Sequence, residues 1–512
     1  MRTETEIKKQ GDLYAGIPYS CSSSNLISFL GDSSPEFYAS PKHLQCSSSY
    51  PQAKPKFKQH GPDSIHSWLT AAACALSTLF ALAPLRSSGF LYVTIMNEFN
   101  VSRQEASWTI MILGGARFLS GLLAGFLGDA FTTRPLIIFG SIVSALGVAL
   151  CVFVKSIWVL HLTLGLIHGF GSGIVYSMNP IVISEHFIKH KAFAMGINYA
   201  GSTLGTFVFP KLLEYVVGLY GFRYAMLIFG GILFNSVAFS LFLRQPFWLN
   251  KRATVSNTSE ICELGFQGPT EPFIISGSIT GQVTSHNDKP NLIYRGLNIA
   301  RLPMFYVVTF SFISFGLGYD CYNSLLVDFA IDKGIAKSKA VGMTSLCSVA
   351  DLAGRLILPA LTDRNLVKRS TLMILLLSLV GVLYIMLPYV SECGYIFTLT
   401  LGLAALLGCG VVLFPVLLGE YVGLESIAMA TGLMTSLSAV FSFTKPSIIG
   451  YFRDTLGAYN LLFVACGCVT ILASSTWVVA EYARQKTVKN KWTIDQTQTT
   501  TNILVGTYSL IP

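Results

Sequence analysis

Asp351 and Arg355 stand four residues apart in a run from Leu346 to Leu361 that holds no other charge. That spacing puts both side chains on one face of a helix, where an acid and a base can pair. An ionised side chain at the centre of a bilayer costs roughly 2.5 to 3.5 kcal/mol on insertion scales, so charges there face a protein interior or a wet cavity and mark transport paths. Arg86, Arg117, Asp320 and Lys445 also lie inside apolar runs. Facing lipid, these six charges would together cost roughly 15 to 20 kcal/mol, so they are expected to converge on a central cavity. Four cations against two acids favour an anionic substrate, because a guanidinium offers paired donors that match a carboxylate. For each charge the structural alternative is an ion pair that ties helices together. His161 and His168, seven residues apart on one helix face, could relay protons or bond neighbouring helices. Asn179 precedes Pro180, which can free backbone carbonyls, and is a candidate pocket residue.

These residues need long apolar elements to hold them, and the composition provides for that. The chain has 512 residues, 52% hydrophobic and only 12% charged, with a mean hydropathy of +0.57; a soluble globule carries about 25% charged residues. Twelve apolar segments follow one another at about 68–92, 106–127, 135–154, 157–182, 192–216, 222–243, 303–328, 338–361, 370–390, 394–418, 424–449 and 458–480. They divide six and six. The expected organisation is a disordered cytoplasmic tail over 1–66, a six-helix bundle over 67–243, a cytoplasmic linker over 244–302 rich in Ser, Thr, Asn and Gln, a second six-helix bundle over 303–480, and a cytoplasmic tail over 481–512.

The net charge of +9 sorts by topology and does not call for nucleic acid: 23 of the 35 Lys and Arg fall in the two tails and the loops on their side. Positive-inside bias therefore predicts both termini in the cytoplasm, with the plasma membrane as the expected location. The eleven Cys have no metal or redox spacing, and no nucleophile and base arrangement suggests an enzyme. No cofactor or metal is expected.

Similar patterns recur 234 to 236 residues apart. Asp129 and Arg134, after the second segment, are echoed by Asp363, Lys368 and Arg369 after the eighth; Glu185 ahead of Ala194 and Gly196 is echoed by Glu420 ahead of Ala430 and Gly432. Duplicated six-helix units of this kind occur in major facilitator transporters, and the acid-then-base loop resembles that superfamily's loop signature. The fold class expected is an all-α polytopic membrane protein with 12 transmembrane helices in a 6+6 pseudo-repeat. Small residues at Gly165, Gly169 and Gly173, and at Gly196, Gly201 and Gly205, would let helices approach closely.

Two stretches resemble the monocarboxylate transporter family. Phe187, Lys189, Ala194, Gly196, Ala200, Gly201 and Gly205 match the family pattern around its fifth span, and Pro62, Asp63 and Trp68 keep part of the motif at the entrance to the first. Counting Tyr220 to Arg223, Asn179 and Pro180, and Val422 to Glu425, the likeness covers 62–243 and 303–480. The resemblance implies that Arg355 holds a substrate carboxylate and that Asp351 takes a proton. A lysine near the outer end of the first span takes part in the family, and the matching position here is Arg86, which cannot release its proton at accessible pH. Arg117 falls where the family has an apolar pocket residue, Lys445 is another unusual charge, and Phe414 aligns with an aromatic that limits substrate size. Asp129, Arg134, Asp363 and Lys189 are the loop and gating residues. The resemblance also implies a single-span glycoprotein chaperone.

The function expected is secondary transport of monocarboxylates or related organic anions by alternating access, with a proton as a possible companion. One alternative is a proton-independent facilitator of aromatic amino acids, hormones or zwitterions. Another, of a different class, is a non-transporting membrane sensor or scaffold that signals through its tail and linker.

Overall fold

The first apolar segment does not fold as one helix. It is broken into α1 (Ile65–Ala81), α2 (Ala83–Arg86) and α3 (Ser88–Phe99), with Leu82 and Ser87 at the two breaks. Pro84 lies between them; it lacks an N–H and its ring crowds the preceding turn. Arg86 thus closes a four-residue helix between two irregular joints. The computed structural model describes residues 61–130, 132–246, 296, 298–456 and 459–508. The expectations for the tail over 1–60 and for most of the linker lie outside the described residues.

The other helices follow in order: α4 (Arg103–Ala130), α5 (Thr133–Ala149), the short α6 (Ile157–Leu160), a π-helical run over His161–His168, α7 (Gly169–His186), α8 (Lys191–Leu233) and α9 (Asn235–Leu241). Then come α10 (Pro303–Asp332), α11 (Lys337–Asp363), α12 (Arg369–Met386), α13 (Cys393–Val422), α14 (Ile427–Leu456) and α15 (Asn460–Tyr508). Ten of the described stretches are long and apolar enough to cross a membrane. One of them, Lys191–Leu241, has 51 residues; at about 1.5 Å per residue it is far longer than the ~30 Å hydrocarbon core requires. It is broken at Gly221, whose φ of 72° suits glycine, so it makes two crossings. With α1 to α3 as one further crossing, the described helices make the twelve expected.

Local signals explain several boundaries. Ser102 and Glu105 form a reciprocal capping box at the start of α4, with the Ser102 N–H donating to Glu105 Oε2 at 2.9 Å and the Glu105 N–H to Ser102 Oγ at 3.3 Å. Asn100, at φ 50°, ends α3 in the left-handed conformation. Within the first bundle, Ser77, Ser141, Ser236 and Ser240 are buried and hydrogen-bonded to one another at 3.0 to 3.2 Å, tying α1, α5 and α9 together.

The two bundles meet along two helix pairs that obey the internal repeat. In one, α8 packs on α11, where a Cβ at Gly196 would overlap the carbonyl of Arg355. In the other, α14 packs on α4, where a Cβ at Gly432 would lie 2.6 Å from the carbonyl of Gly121. Gly196 and Gly432 are repeat equivalents, so the duplicated glycine marks both seams. The glycine ladder in α7 serves packing inside the first bundle, with Gly169 against Leu113 and Gly173 against Arg117 and Ser120 of α4.

Candidate functional site

Arg355 lies one helical turn after Asp351 on α11 and binds it in fork geometry. Its Nε donates to Asp351 Oδ2 at 2.8 Å and its Nη2 to Oδ1 at 3.1 Å. The remaining donors reach further: Nη1 to the carbonyl of Tyr199 at 3.1 Å and Nη2 to the hydroxyl of Tyr319 at 3.2 Å. Thr203 Oγ1 donates to Asp351 Oδ2 at 3.0 Å. Tyr199 and Thr203 belong to α8 in the first bundle, so this ion pair is also a junction between the bundles. Arg355 is 1% exposed and Asp351 14%. Removing one partner of a buried pair costs about 3 to 5 kcal/mol; hence the junction holds until another group replaces the one that leaves.

A cavity of about 330 Å³ adjoins the pair. Asp351 and Arg86 line it, together with Thr203 and Thr206 of α8, Tyr319 and Tyr322 of α10 and other residues, but Arg355 does not. Arg86 donates from Nη2 to Ser202 Oγ at 2.7 Å, and its Nε is buried without a hydrogen-bond partner. Ser202 and Thr203 are consecutive, so one step of α8 anchors the cavity's cation and its acid side by side.

Position along the two seam helices gives the site its polarity. On α11, Thr344, Ser345, Cys347, Ser348 and Asp351 line the cavity, Arg355 follows, and Asp363 comes eight residues after Arg355, about 12 Å farther along the axis. Asp363 accepts from the N–H groups of Ala192 at 3.2 Å and Phe193 at 2.8 Å, which caps the start of α8 with a carboxylate from the other bundle. Arg369 holds that carboxylate at 3.1 Å and reaches Glu420 at 2.7 Å. Asp63 binds the preceding turn, accepting from the N–H groups of Ile188, Lys189 and His190 at 2.9 to 3.2 Å. The bundles are therefore latched at the end carrying the loops before α8 and after α11, and the cavity lies beyond the ion pair from that latch.

The other expected site residues disperse around this centre. Arg117 is sandwiched between the rings of Phe118 and Tyr176, at 4.2 and 4.8 Å, away from the cavity lining; Tyr176 in turn lies 5.8 Å from the ring of Tyr199. Asn179 is fully buried, donating to Thr78 Oγ1 at 2.8 Å and to the carbonyl of Cys74 at 3.2 Å, so it ties α7 to α1 and does not face the cavity. Phe414 is also fully buried, 5.3 Å from the rings of both Phe312 and Phe315. Arg134 donates to the carbonyl of Leu241 at 2.9 Å, and Lys189 is exposed. The side chains of Asp129 and Lys445 lie outside the described residues.

His161 and His168 do not share one face. The π-helical run widens the turn between them, and His161 Nδ1 meets Thr109 Oγ1 of α4 at 2.9 Å while His168 Nδ1 meets Ser144 Oγ of α5 at 2.9 Å. They bond different neighbouring helices. Spacing alone also missed Ser202, Thr203 and Tyr319, since a hydroxyl in an apolar helix most often bonds its own backbone and carries no positional signal.

A sequence profile of the Major Facilitator Superfamily matches residues 74–444. Monocarboxylate transporter 12 of Rattus norvegicus is 26% identical over 432 residues, covering 83% of this chain and 87% of its own length. Monocarboxylate transporter 13 of Bos taurus is 24% identical over 425 residues, covering 82% and 91%; monocarboxylate transporter 2 of Homo sapiens is 22% identical over 426, covering 82% and 86%. Among solved structures, the proton:xylose symporter XylE bound to 6-bromo-6-deoxy-D-glucose aligns with a TM-score of 0.58 at 14% identity, over 80% of this chain and 94% of that one. FucP in the outward conformation aligns at 0.57 and 15%, over 80% and 99%. At those identities the likeness is one of fold.

Proposed function

The chain belongs to the Major Facilitator Superfamily, and from that premise, with monocarboxylate transporters as its relatives, we propose that it carries small organic anions across the membrane by alternating access. The observation that carries this reading is the Asp351 and Arg355 pair, which sits beside the cavity and bonds both bundles at once.

A carboxylate entering the cavity meets Arg86 first, because Arg86 lines it, whereas Arg355 stands behind Asp351. A proton arriving on Asp351 cancels the charge that holds the Arg355 guanidinium. Nε and Nη2 of Arg355 are then free to take the substrate carboxylate, and the bonds to Tyr199 and from Thr203 loosen with the pair. Loaded with anion and proton, the site returns to its empty charge and can be enclosed as the bundles rock, whereas a proton alone adds an uncompensated charge that resists enclosure. Positive-inside bias assigns the latched end to the cytoplasm, so this conformation opens outward.

Arg86 favours a second reading of the same site. A fixed cation beside Asp351 could neutralise an anion without any proton, giving a facilitator in place of a symporter. The two separate in an uptake panel of lactate, pyruvate, ketone bodies, aromatic amino acids and dicarboxylates at two external pH values. Faster uptake of a monocarboxylate at the lower pH supports the symporter, pH-independent exchange supports the facilitator, and no flux of any acid by protein at the cell surface counts against both.

A further inference from the structure

Two opposite charges line the cavity without pairing. Arg86 and Asp351 both face it, yet among the described residues Asp351 forms its ion pair with Arg355 and none with Arg86. Opposite charges attract more strongly across a partly dry cavity than in water, so their separation needs a restraint. Among the described residues the Arg86 side chain makes one hydrogen bond, from Nη2 to Ser202 Oγ at 2.7 Å. Asp351 accepts from Thr203 Oγ1 at 3.0 Å.

Ser202 and Thr203 are consecutive on α8 and buried. Neighbouring side chains leave a helix about 100° apart, so one tether reaches α2 in the first bundle and the other α11 in the second. The backbone alone does not fix Arg86, since α2 is a four-residue helix between two irregular joints. Gly201 lets α8 come close enough to supply the tether, because a Cβ there would overlap the carbonyl of Ala75 on α1.

Asp351 has room for the pairing that the tether prevents. An ionised carboxylate offers about four lone-pair sites; Nε and Nη2 of Arg355 take two and Thr203 takes a third. The site left over is open to a second guanidinium. Arg86, once released, would fill it, and a substrate carboxylate would then have to displace an internal one.

We infer that Ser202 is a positioning residue whose hydroxyl holds Arg86 away from Asp351 and so keeps the cavity's cation available to a substrate carboxylate. Thr203 gives the acid the matching restraint. The inference rests on the proposed carrier function and concerns how that site stays receptive.

The test is exchange of labelled for unlabelled substrate by the full-length protein in liposomes. KM and maximal rate are read for whichever of lactate, pyruvate, acetoacetate, phenylalanine and succinate the unaltered chain carries fastest. Ser202→Ala should raise KM roughly threefold to tenfold, the net worth of one hydrogen bond, and lower the maximal rate by less than about twofold. In Asp351→Asn the competing carboxylate is gone, and in Arg86→Leu nothing is left to hold. Residues that act through one another fail to add, so in either background Ser202→Ala should move KM by less than about twofold. A KM unmoved by Ser202→Ala, or raised by the same factor in all three backgrounds, would overturn the inference and leave the carrier function standing. No exchange of any of the five by the unaltered chain would remove the carrier function and the inference together.

Discussion

Arg355 does three things with one guanidinium: it neutralises Asp351, it bonds the backbone of Tyr199 in the other bundle, and it supports the Tyr319 hydroxyl. Lysine keeps the charge but cannot reproduce the fork, so Arg355→Lys should lower the kcat/KM for the transported acid about 10- to 100-fold, the worth of one or two hydrogen bonds to a charged group. Uptake corrected for surface abundance checks it. Arg86→Leu should raise KM with a smaller change in maximal rate, since Arg86 meets the substrate before the ion pair opens. The pairing of Asp351 with Arg355 was legible in the sequence, because a four-residue interval in an apolar helix leaves few other arrangements. That Arg355 is hidden behind Asp351 was not, since which partner faces the cavity depends on Tyr199 and Thr203 from a helix about 150 residues away. Asn179, Arg117 and Phe414 show the same limit: a polar or bulky residue in a span signals that it has a partner, but not whether the partner is substrate, another helix or a pair of aromatic rings.

At the scale of helices, the ion pair works only because α8 and α11 touch. Gly196 permits that contact against the carbonyl of Arg355, and Asp363 pins the first turn of α8. A cysteine at Ser345, exposed in the cavity, reports the state. In Gly196→Leu the seam cannot close as seen, so labelling of Ser345→Cys by a membrane-impermeant thiol reagent from outside should fall. Asp363→Asn should act in the same direction, because a carboxylate at a helix N-terminus is worth roughly 0.5 to 2 kcal/mol, enough to shift a two-state population several-fold. Unchanged labelling in both variants would mean the latch does not set the conformation. Helix number and order were read from hydropathy alone, and the repeat pointed to Gly196 and Gly432 before their packing was known. The break around Pro84 was missed, since a proline at one position gives the site of a kink without showing that two joints would isolate Arg86.

For the molecule as a whole, the proposed cycle turns on charge balance at the seam of α8 and α11. Asp351 and Arg355 are neutral as a pair, the pair with anion and proton bound is neutral again, and a proton alone leaves it positive. Acidifying the outside should therefore speed uptake by supplying Asp351 with its proton, and Asp351→Asn, fixed in the uncharged form, should lose that pH dependence.

The most direct measurement is accumulation of a radiolabelled monocarboxylate in liposomes carrying the purified protein, with the outside more acidic than the lumen, for the unaltered chain and for Asp351→Asn. The unaltered chain should concentrate the acid above its outside level and collapse of the proton gradient should abolish this, while Asp351→Asn should exchange labelled for unlabelled acid but never concentrate it. Gradient-driven concentration by Asp351→Asn equal to that of the unaltered chain would contradict proton coupling at Asp351.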